Sequence, residues 1–321
     1  MAPLKGMDMK NAVRAGIIGH AIGDALGVPV EFSSRSRLNQ CPVHDMEGYG
    51  THDMPAGTWS DDTSMEIALM QSLIDKGSFD YEDIMENFCQ WWENDKFTAT
   101  GKGFDIGGTC YRAIRNYSSG KCGPHECGEK DEHSNGNGSL MRILPVAFVC
   151  HKYSLTGNQR YDLVRKVSSL THAHEISVLG CCIYVNFVCH LLSGKEKGNA
   201  YVKTKQDDYS AFSEDTREIY SRVLQGDIAK SDEEKISSSG YVVSSLEASL
   251  WSFLNADSFK QAVLKAVNLG NDTDTVGAIT GSMAGIYYGY DSIPAPWIKE
   301  LKRSGYLLEL CDKFVQTEIK V

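Results

Sequence analysis

Two short acidic signatures dominate the residues able to do chemistry: Ser60-Asp61-Asp62-Thr63 and Asn271-Asp272-Thr273-Asp274-Thr275. Each opens an apolar stretch with helical spacing, and each holds residue types that serve as N-caps and first-turn carboxylates. Capping alone does not need this much charge. Asp61, Asp62, Asp272 and Asp274, with the hydroxyls around them, would repel strongly if brought together without a counter-charge. Oxygen-only sets of carboxylate and hydroxyl suit hard divalent cations such as Mg²⁺ or Mn²⁺ rather than zinc. Two ions about 3.5 to 4 Å apart are a standard way to share so many carboxylates. A further carboxylate, Glu31, follows Gly23-Asp24-Ala25-Leu26-Gly27-Val28-Pro29-Val30, where glycine and proline break a helix and deliver Glu31 on the emerging loop.

The elements that must position these groups read as helices. Val13, Ile17, Ala21 and Ala25 share one helical face, as do Met65, Leu69 and Leu73. The same spacing recurs in Leu140, Ile143, Leu144, Ala147 and Phe148, and in Phe259, Ala262, Val263, Ala266 and Val267. No comparable run alternates with period two. The expected fold is all-α, with many short to medium helices joined by Gly-, Ser- and Asn-rich loops. Glycines stripe one face of two segments, Gly16, Gly19, Gly23 and Gly27, then Gly277, Gly281, Gly285 and Gly289. An interior helical glycine costs about 1 kcal/mol relative to alanine, so close approach of helix backbones is the expected compensation, which places both segments at the centre of the bundle. Residues 193–240 turn polar and charged, which predicts a solvated helix with loops, peripheral to the chemistry. With no strong internal repeat, residues 1–321 read as a single domain.

Bulk properties narrow the class. The 321 residues are 42% hydrophobic and 23% charged, an ordinary globular composition. A net charge of -10 disfavours a nucleic-acid partner, which needs clustered Lys and Arg, although a small nucleotide ligand stays open. No secretory leader is read at Met1 to Lys10, and no apolar run reaches the roughly 20 residues of a membrane span, so no membrane partner is expected. Ten cysteines without a regular framework suit a reducing compartment, so the expected location is the cytoplasm. Cys122 and Cys127, with His125 and His133, lack the second Cys pair of a zinc ribbon.

Several motifs in order resemble the ADP-ribosylglycohydrolases, the group that includes the dinitrogenase-reductase-activating glycohydrolase. They are Gly19-His20-Ala21-Ile22-Gly23-Asp24-Ala25-Leu26-Gly27 with Glu31, Trp59-Ser60-Asp61-Asp62-Thr63, Gly136-Asn137-Gly138-Ser139-Leu140-Met141-Arg142, Thr171-His172, and Gly270-Asn271-Asp272-Thr273-Asp274-Thr275-Val276-Gly277-Ala278. The resemblance spans roughly residues 10 to 290. It implies a compact orthogonal multi-helix bundle with a binuclear Mg²⁺ or Mn²⁺ centre at the bottom of an ADP-ribose cleft. Ser60, Asp61 and Asp62 would serve one side of the metal pair, and Asp272, Asp274 and Thr275 the other. Ser60 stands where threonine is more usual, which leaves the hydroxyl a freer rotamer.

By the same resemblance, Glu31 lies near the scissile bond and Asp105, within Gly101-Lys102-Gly103-Phe104-Asp105-Ile106-Gly107, lines the cleft. Taken alone, Asp105 reads equally well as the N-cap of the helix running to Tyr117. Gly136, Asn137, Gly138 and Ser139 are expected to form a loop leading into a helix and hold a pyrophosphate, His172 to meet phosphate or ribose, and Tyr241 either to line the adenine or distal ribose pocket or to start an apolar helix as a core aromatic. The implied reaction is hydrolysis of the bond between ribose and a modified side chain, through an oxocarbenium-like transition state. An acidic cleft favours a cationic leaving group, so ADP-ribosylarginine on a protein is the expected substrate and ADP-ribose the product. ADP-ribosylserine hydrolysis, a two-metal phosphoesterase and a non-catalytic ADP-ribose binder are the competing readings.

Overall fold

The computed structural model describes residues 8–321. Sixteen α-helices follow one another, and the described residues form no strand, only four isolated bridges. They are α1 (Met9–Gly27), α2 (Arg35–Gln40), α3 (Asp61–Lys76), α4 (Tyr81–Asn94), α5 (Gly108–Ser118), α6 (Leu144–Lys152), α7 (Gly157–Ser168) and α8 (Glu175–Leu192). Then come α9 (Lys197–Gln206), α10 (Glu214–Ile219), α11 (Ser221–Leu224), α12 (Val242–Leu254), α13 (Phe259–Val267), α14 (Thr273–Tyr288), α15 (Ala295–Glu300) and α16 (Ser304–Gln316). The all-α expectation holds.

The glycine stripes explain the centre of the bundle. A Cβ added at Gly23 would lie 2.0 Å from the carbonyl oxygen of Gly277, and one at Gly281 would lie 2.1 Å from that of Gly19. At Gly27 it would meet the Cα of Asp274 at 2.3 Å. Only glycine lets the α1 and α14 backbones touch at these points, so the loss in helix propensity is offset by direct backbone packing. The consequence is functional, because Asp24 of α1 and Asp274 of α14 are carried in on the same contact.

Elsewhere the boundaries shift. Leu140 to Ile143 form a turn, with Met141 N–H donating to the Asn137 carbonyl (3.0 Å), and α6 begins only at Leu144. Pro145 accounts for this, since it fits the first helical turn and supplies no N–H to an earlier one. The polar stretch 193–240 holds three helices rather than one, and it buries Tyr201, Tyr209, Phe212, Tyr220, Val223 and Ile228 against the core. Helix α8 is long and apolar enough to cross a membrane, but 83% of that stretch is buried inside the protein, which makes it the core helix of the second half. Cys122 and Cys127 are joined to each other by a disulfide, which removes both sulfurs from the zinc reading, and the other eight cysteines are free.

Candidate metal centre and cleft

Asp24 is fully buried and fixes the start of α3. Its Oδ1 accepts from Ser60 N–H (2.8 Å), and its Oδ2 accepts from both Thr63 N–H (3.1 Å) and Thr63 Oγ1 (2.6 Å). Ser60 is the N-cap of α3, its hydroxyl accepting from Asp62 N–H at 3.3 Å. Asp61 and Asp62 therefore project from a first turn held on two sides. Glycine packing brings α14 against the same spot, and Thr275 Oγ1 donates to Asp62 Oδ1 at 3.1 Å.

Asp272 is fixed from the opposite wall, where Asn137 Nδ2 donates to its Oδ2 at 2.7 Å and to Ser245 Oγ at 2.8 Å. The Glu31 loop is stitched to the same place by a reciprocal backbone pair. Phe32 N–H donates to the Asn271 carbonyl (2.6 Å) and Asn271 N–H donates to the Ser33 carbonyl (2.8 Å). Both Phe32 and Asn271 take positive φ values, 62° and 60°, so this crossing is sterically demanding for side-chain-bearing residues.

The outcome is convergence of distant carboxylates. Asp24, Asp62 and Asp274 each offer an oxygen, all within 4.8 Å of one another. Glu31, Asp272 and Asp274 form a second such group, and Glu31, His52 and Asp105 a third. Asp61 lies beside them, 6% exposed, facing the cleft. Asp24 and His52 were not among the sequence-expected site residues. Asp24 had a signal, an ionisable residue inside an apolar glycine helix, whereas His52 is a lone histidine in a loop.

The cleft above the carboxylates has a volume of about 330 Å³, and among the described residues no Lys or Arg lines it. Asp105 lies on its wall with φ 63°, and Gly107, not Asp105, is the N-cap of α5. Gly107 to Thr109, the start of α5, also line the cleft, so the helix N-terminus available to an anion is that of α5. The Gly136–Ser139 expectation needs correction in two respects. Asn137 N–H is already bonded to the Gly240 carbonyl (3.0 Å), and Ser139 turns into the core, its hydroxyl bonded to Ser168 Oγ at 2.9 Å. Gly136 and Gly138 remain on the cleft wall. Tyr241 is the N-cap residue of α12, 39% exposed and outside the lining.

His172 does line the cleft, and a chain of hydrogen bonds holds its ring in place. Buried Arg142 donates to the Gly138 carbonyl and to Thr171 Oγ1 (2.9 Å), and Thr171 Oγ1 lies 2.7 Å from His172 Nδ1. With Nδ1 engaged by the threonine hydroxyl, Nε2 is the ring nitrogen left toward Gly136 and the cleft. Burial pushes His172 down to about 3, so the ring is neutral. His174 instead caps α8 and bonds Asn135.

Burial also pushes every carboxyl in the centre up; repulsion between carboxylates adds to it at Glu31, Asp61, Asp62, Asp105 and Asp274, whereas hydrogen bonds oppose it at Asp24 and Asp272. Asp24 rises to about 7, Glu31 to about 8 and Asp105 to about 7, while Asp61, Asp62 and Asp274 rise well above the carboxylate range and Asp272 also rises. Asp274 Oδ2 is buried without a hydrogen-bond partner. A buried, unpartnered carboxylate oxygen facing other carboxylates fits a hard cation, which supplies both the missing ligand and the missing charge.

An all-α bundle with a carboxylate centre beneath an acidic cleft defines a class of hydrolase, and the sequence comparison supplies the family. The ADP-ribosylglycohydrolase profile matches residues 6–320, and the chain belongs to that family. The ADP-ribosylarginine hydrolase Tri1 of Serratia proteamaculans is 32% identical over 303 residues, covering 94% of this chain and 78% of the relative. The ADP-ribosyl-(dinitrogen reductase) glycohydrolase of Rhodospirillum rubrum is 31% identical over 306 residues, covering 93% and 92%. A solved ADP-ribosylglycohydrolase-related protein complex superposes with a TM-score of 0.81 at 28% identity, covering 97% of this chain and 99% of its own. The protein is thus a hydrolase of the ADP-ribosylglycohydrolase family.

Proposed function

We propose that the enzyme removes ADP-ribose from arginine side chains of a modified protein, cutting the bond between the anomeric carbon of ribose and a guanidino nitrogen. The observation that carries this reading is the Glu31–Asp105 carboxylate pair in a cleft that no Lys or Arg among the described residues lines. Such a wall attracts a cationic leaving group. The similarity to an ADP-ribosylarginine hydrolase supports the same linkage, and the similarity to a glycohydrolase of ADP-ribosylated dinitrogen reductase supports a protein substrate.

Ser60, Asp61, Asp62, Asp272, Asp274 and Thr275, with Asp24 added, would hold two divalent cations, Mg²⁺ or Mn²⁺. When bound, these supply Lewis-acid charge that orients the ribose hydroxyls. The chain's own side chains do the rest. Asp105 pairs with the guanidinium and aligns it. Glu31, at the cleft wall beside Asp105, gives a proton to the departing nitrogen or accepts one from the attacking water. The C–N bond breaks, water's oxygen joins the anomeric carbon, and the proton it loses balances the one the guanidine gains. His172 Nε2 meets a phosphate or ribose oxygen, and the carboxylates favour the developing oxocarbenium charge.

We also propose a cytoplasmic location, which the eight free cysteines support and the Cys122–Cys127 disulfide counts against, with no nucleic-acid or membrane partner. The test is incubation with arginine-ADP-ribosylated protein, with Mg²⁺ or Mn²⁺ and with chelator. The expected products are intact ADP-ribose and unmodified arginine, lost with chelator. Release from serine-linked but not arginine-linked protein would overturn the linkage, and AMP as product would favour pyrophosphate cleavage instead.

A further inference from the structure

One polar residue at the cleft has no part in the reading above. His52 stands at the end of a single 3-10 turn, Gly50–His52, whose flanking residues Tyr49 and Asp53 both take positive φ, 67° and 54°. The turn is locked by a backbone bond from Tyr49 N–H to the Met54 carbonyl. It is pressed so closely on the turn that follows α1 that a Cβ at Gly50 would sit 2.0 Å from the Pro29 carbonyl oxygen. Two consecutive residues of this turn hold Glu31. Thr51 Oγ1 donates to the Glu31 carbonyl at 2.7 Å, and His52 Nε2 is hydrogen-bonded to Glu31 Oε2.

The imidazole is itself fixed. Its ring centroid lies 5.1 Å from that of Phe104 and 6.1 Å from that of Phe32, and Nε2 is 3.8 Å from Asp105 Oδ1. His52 therefore touches the residue before Asp105, the residue after Glu31, and both carboxylates. A strained loop that spends its geometry on one carboxylate side chain has a positioning role as its simplest physical purpose.

We propose that His52 is a positioning residue for Glu31. Its Nε2–H occupies Oε2 and stops the carboxylate from rotating, so that one oxygen alone faces the reacting atoms. The tilted packing of His52 against Phe104 and Phe32 sets the spacing between Glu31 and Asp105, and hence where the leaving guanidine sits. This rests on the assignment of Glu31 to proton transfer.

The test compares His52→Ala, His52→Gln and Glu31→Gln on arginine-ADP-ribosylated protein, alongside calorimetric binding of free ADP-ribose. Glutamine places an amide N–H near the position of Nε2, so it keeps the bond that alanine loses. The expected result for His52→Ala is a fall in kcat of about 10- to 100-fold with KM and ADP-ribose affinity within about 2-fold, and recovery of most of kcat in His52→Gln. Equal impairment of the two His52 variants, or an unchanged kcat in His52→Ala, would overturn the proposal. An unchanged kcat in Glu31→Gln would instead overturn the assignment of Glu31, whatever the His52 variants do.

Discussion

Thr275 and Asp62, 213 positions apart in the chain, are joined by a 3.1 Å hydrogen bond from the threonine hydroxyl to a carboxylate oxygen. That bond ties the first turn of α14 to the first turn of α3, so the two halves of the acidic centre are held by each other as well as by the glycine packing beneath them. Thr275→Val keeps the shape and removes the donor. A hydrogen bond to a charged group contributes about 1.5 to 3 kcal/mol, so Mn²⁺ affinity is expected to fall by roughly 10- to 100-fold, while Thr275→Ser stays near wild type. Calorimetric titration checks it.

The centre also fixes the sign of a pH effect. Asp24, Glu31 and Asp105 are raised by burial to about 7, 8 and 7. A raised carboxyl contributes stability that is full below its unfolded pKa and is lost as pH rises through the folded value. Without metal, the protein should therefore lose stability between about pH 4 and pH 8. Cations displace the protons, so the rise in Tm on adding Mn²⁺ should be larger at pH 8 than at pH 6. A metal-induced shift of equal size at both would contradict this.

Much of the site was legible in the sequence, and the limits are physical. Asp61, Asp62, Asp272 and Asp274 announce themselves because they exceed what two helix caps need, and the glycine stripes because they oppose helix propensity. Asp24 is harder to see, since a single carboxylate in an apolar helix gives no hint that it faces another helix's first turn. Ser139 reads as part of a cleft loop by its Gly-rich neighbours, but its hydroxyl is buried against Ser168, a long-range contact the local pattern does not encode. His52 and the backbone crossing at Asn271 depend on long-range loop contacts that no local pattern encodes.

The α1–α14 contact sets Gly23 apart from a glycine outside it, Gly305. Gly23→Ala puts a methyl 2.0 Å from the Gly277 carbonyl oxygen, against rigid backbone, and should cost about 1 to 3 kcal/mol or more. Gly305→Ala, in α16 with nothing within 4 Å, should stabilise by roughly 0.5 to 1 kcal/mol. Urea denaturation distinguishes the pair, and similar losses for both would refute the packing account.

Beneath the centre, one turn along both helices, His20 and Glu66 lie 3.7 Å apart, fully buried and without hydrogen-bond partners. Burial lowers His20 to about 3 and raises Glu66 well above its usual range. Stability tied to Glu66 is lost as pH rises above its unfolded value, and that tied to His20 is lost as pH falls below about 6.5. An apolar double replacement, His20→Phe with Glu66→Met, should flatten the stability profile from both sides. It should be neutral or stabilising by up to about 4 kcal/mol at pH 7. A marked loss of stability in the double variant would argue against it.

The convergence of Asp62 and Asp274 on shared cations is the claim that everything else requires. Calorimetric titration of Mn²⁺ into wild type and Asp274→Asn, with circular dichroism to confirm that the variant is folded, tests it without any assumption about substrate. Saturable binding by wild type and at least roughly 100-fold weaker binding by a folded Asp274→Asn is the expected result. Equal Mn²⁺ affinity in the two proteins, or no binding by wild type, would contradict it.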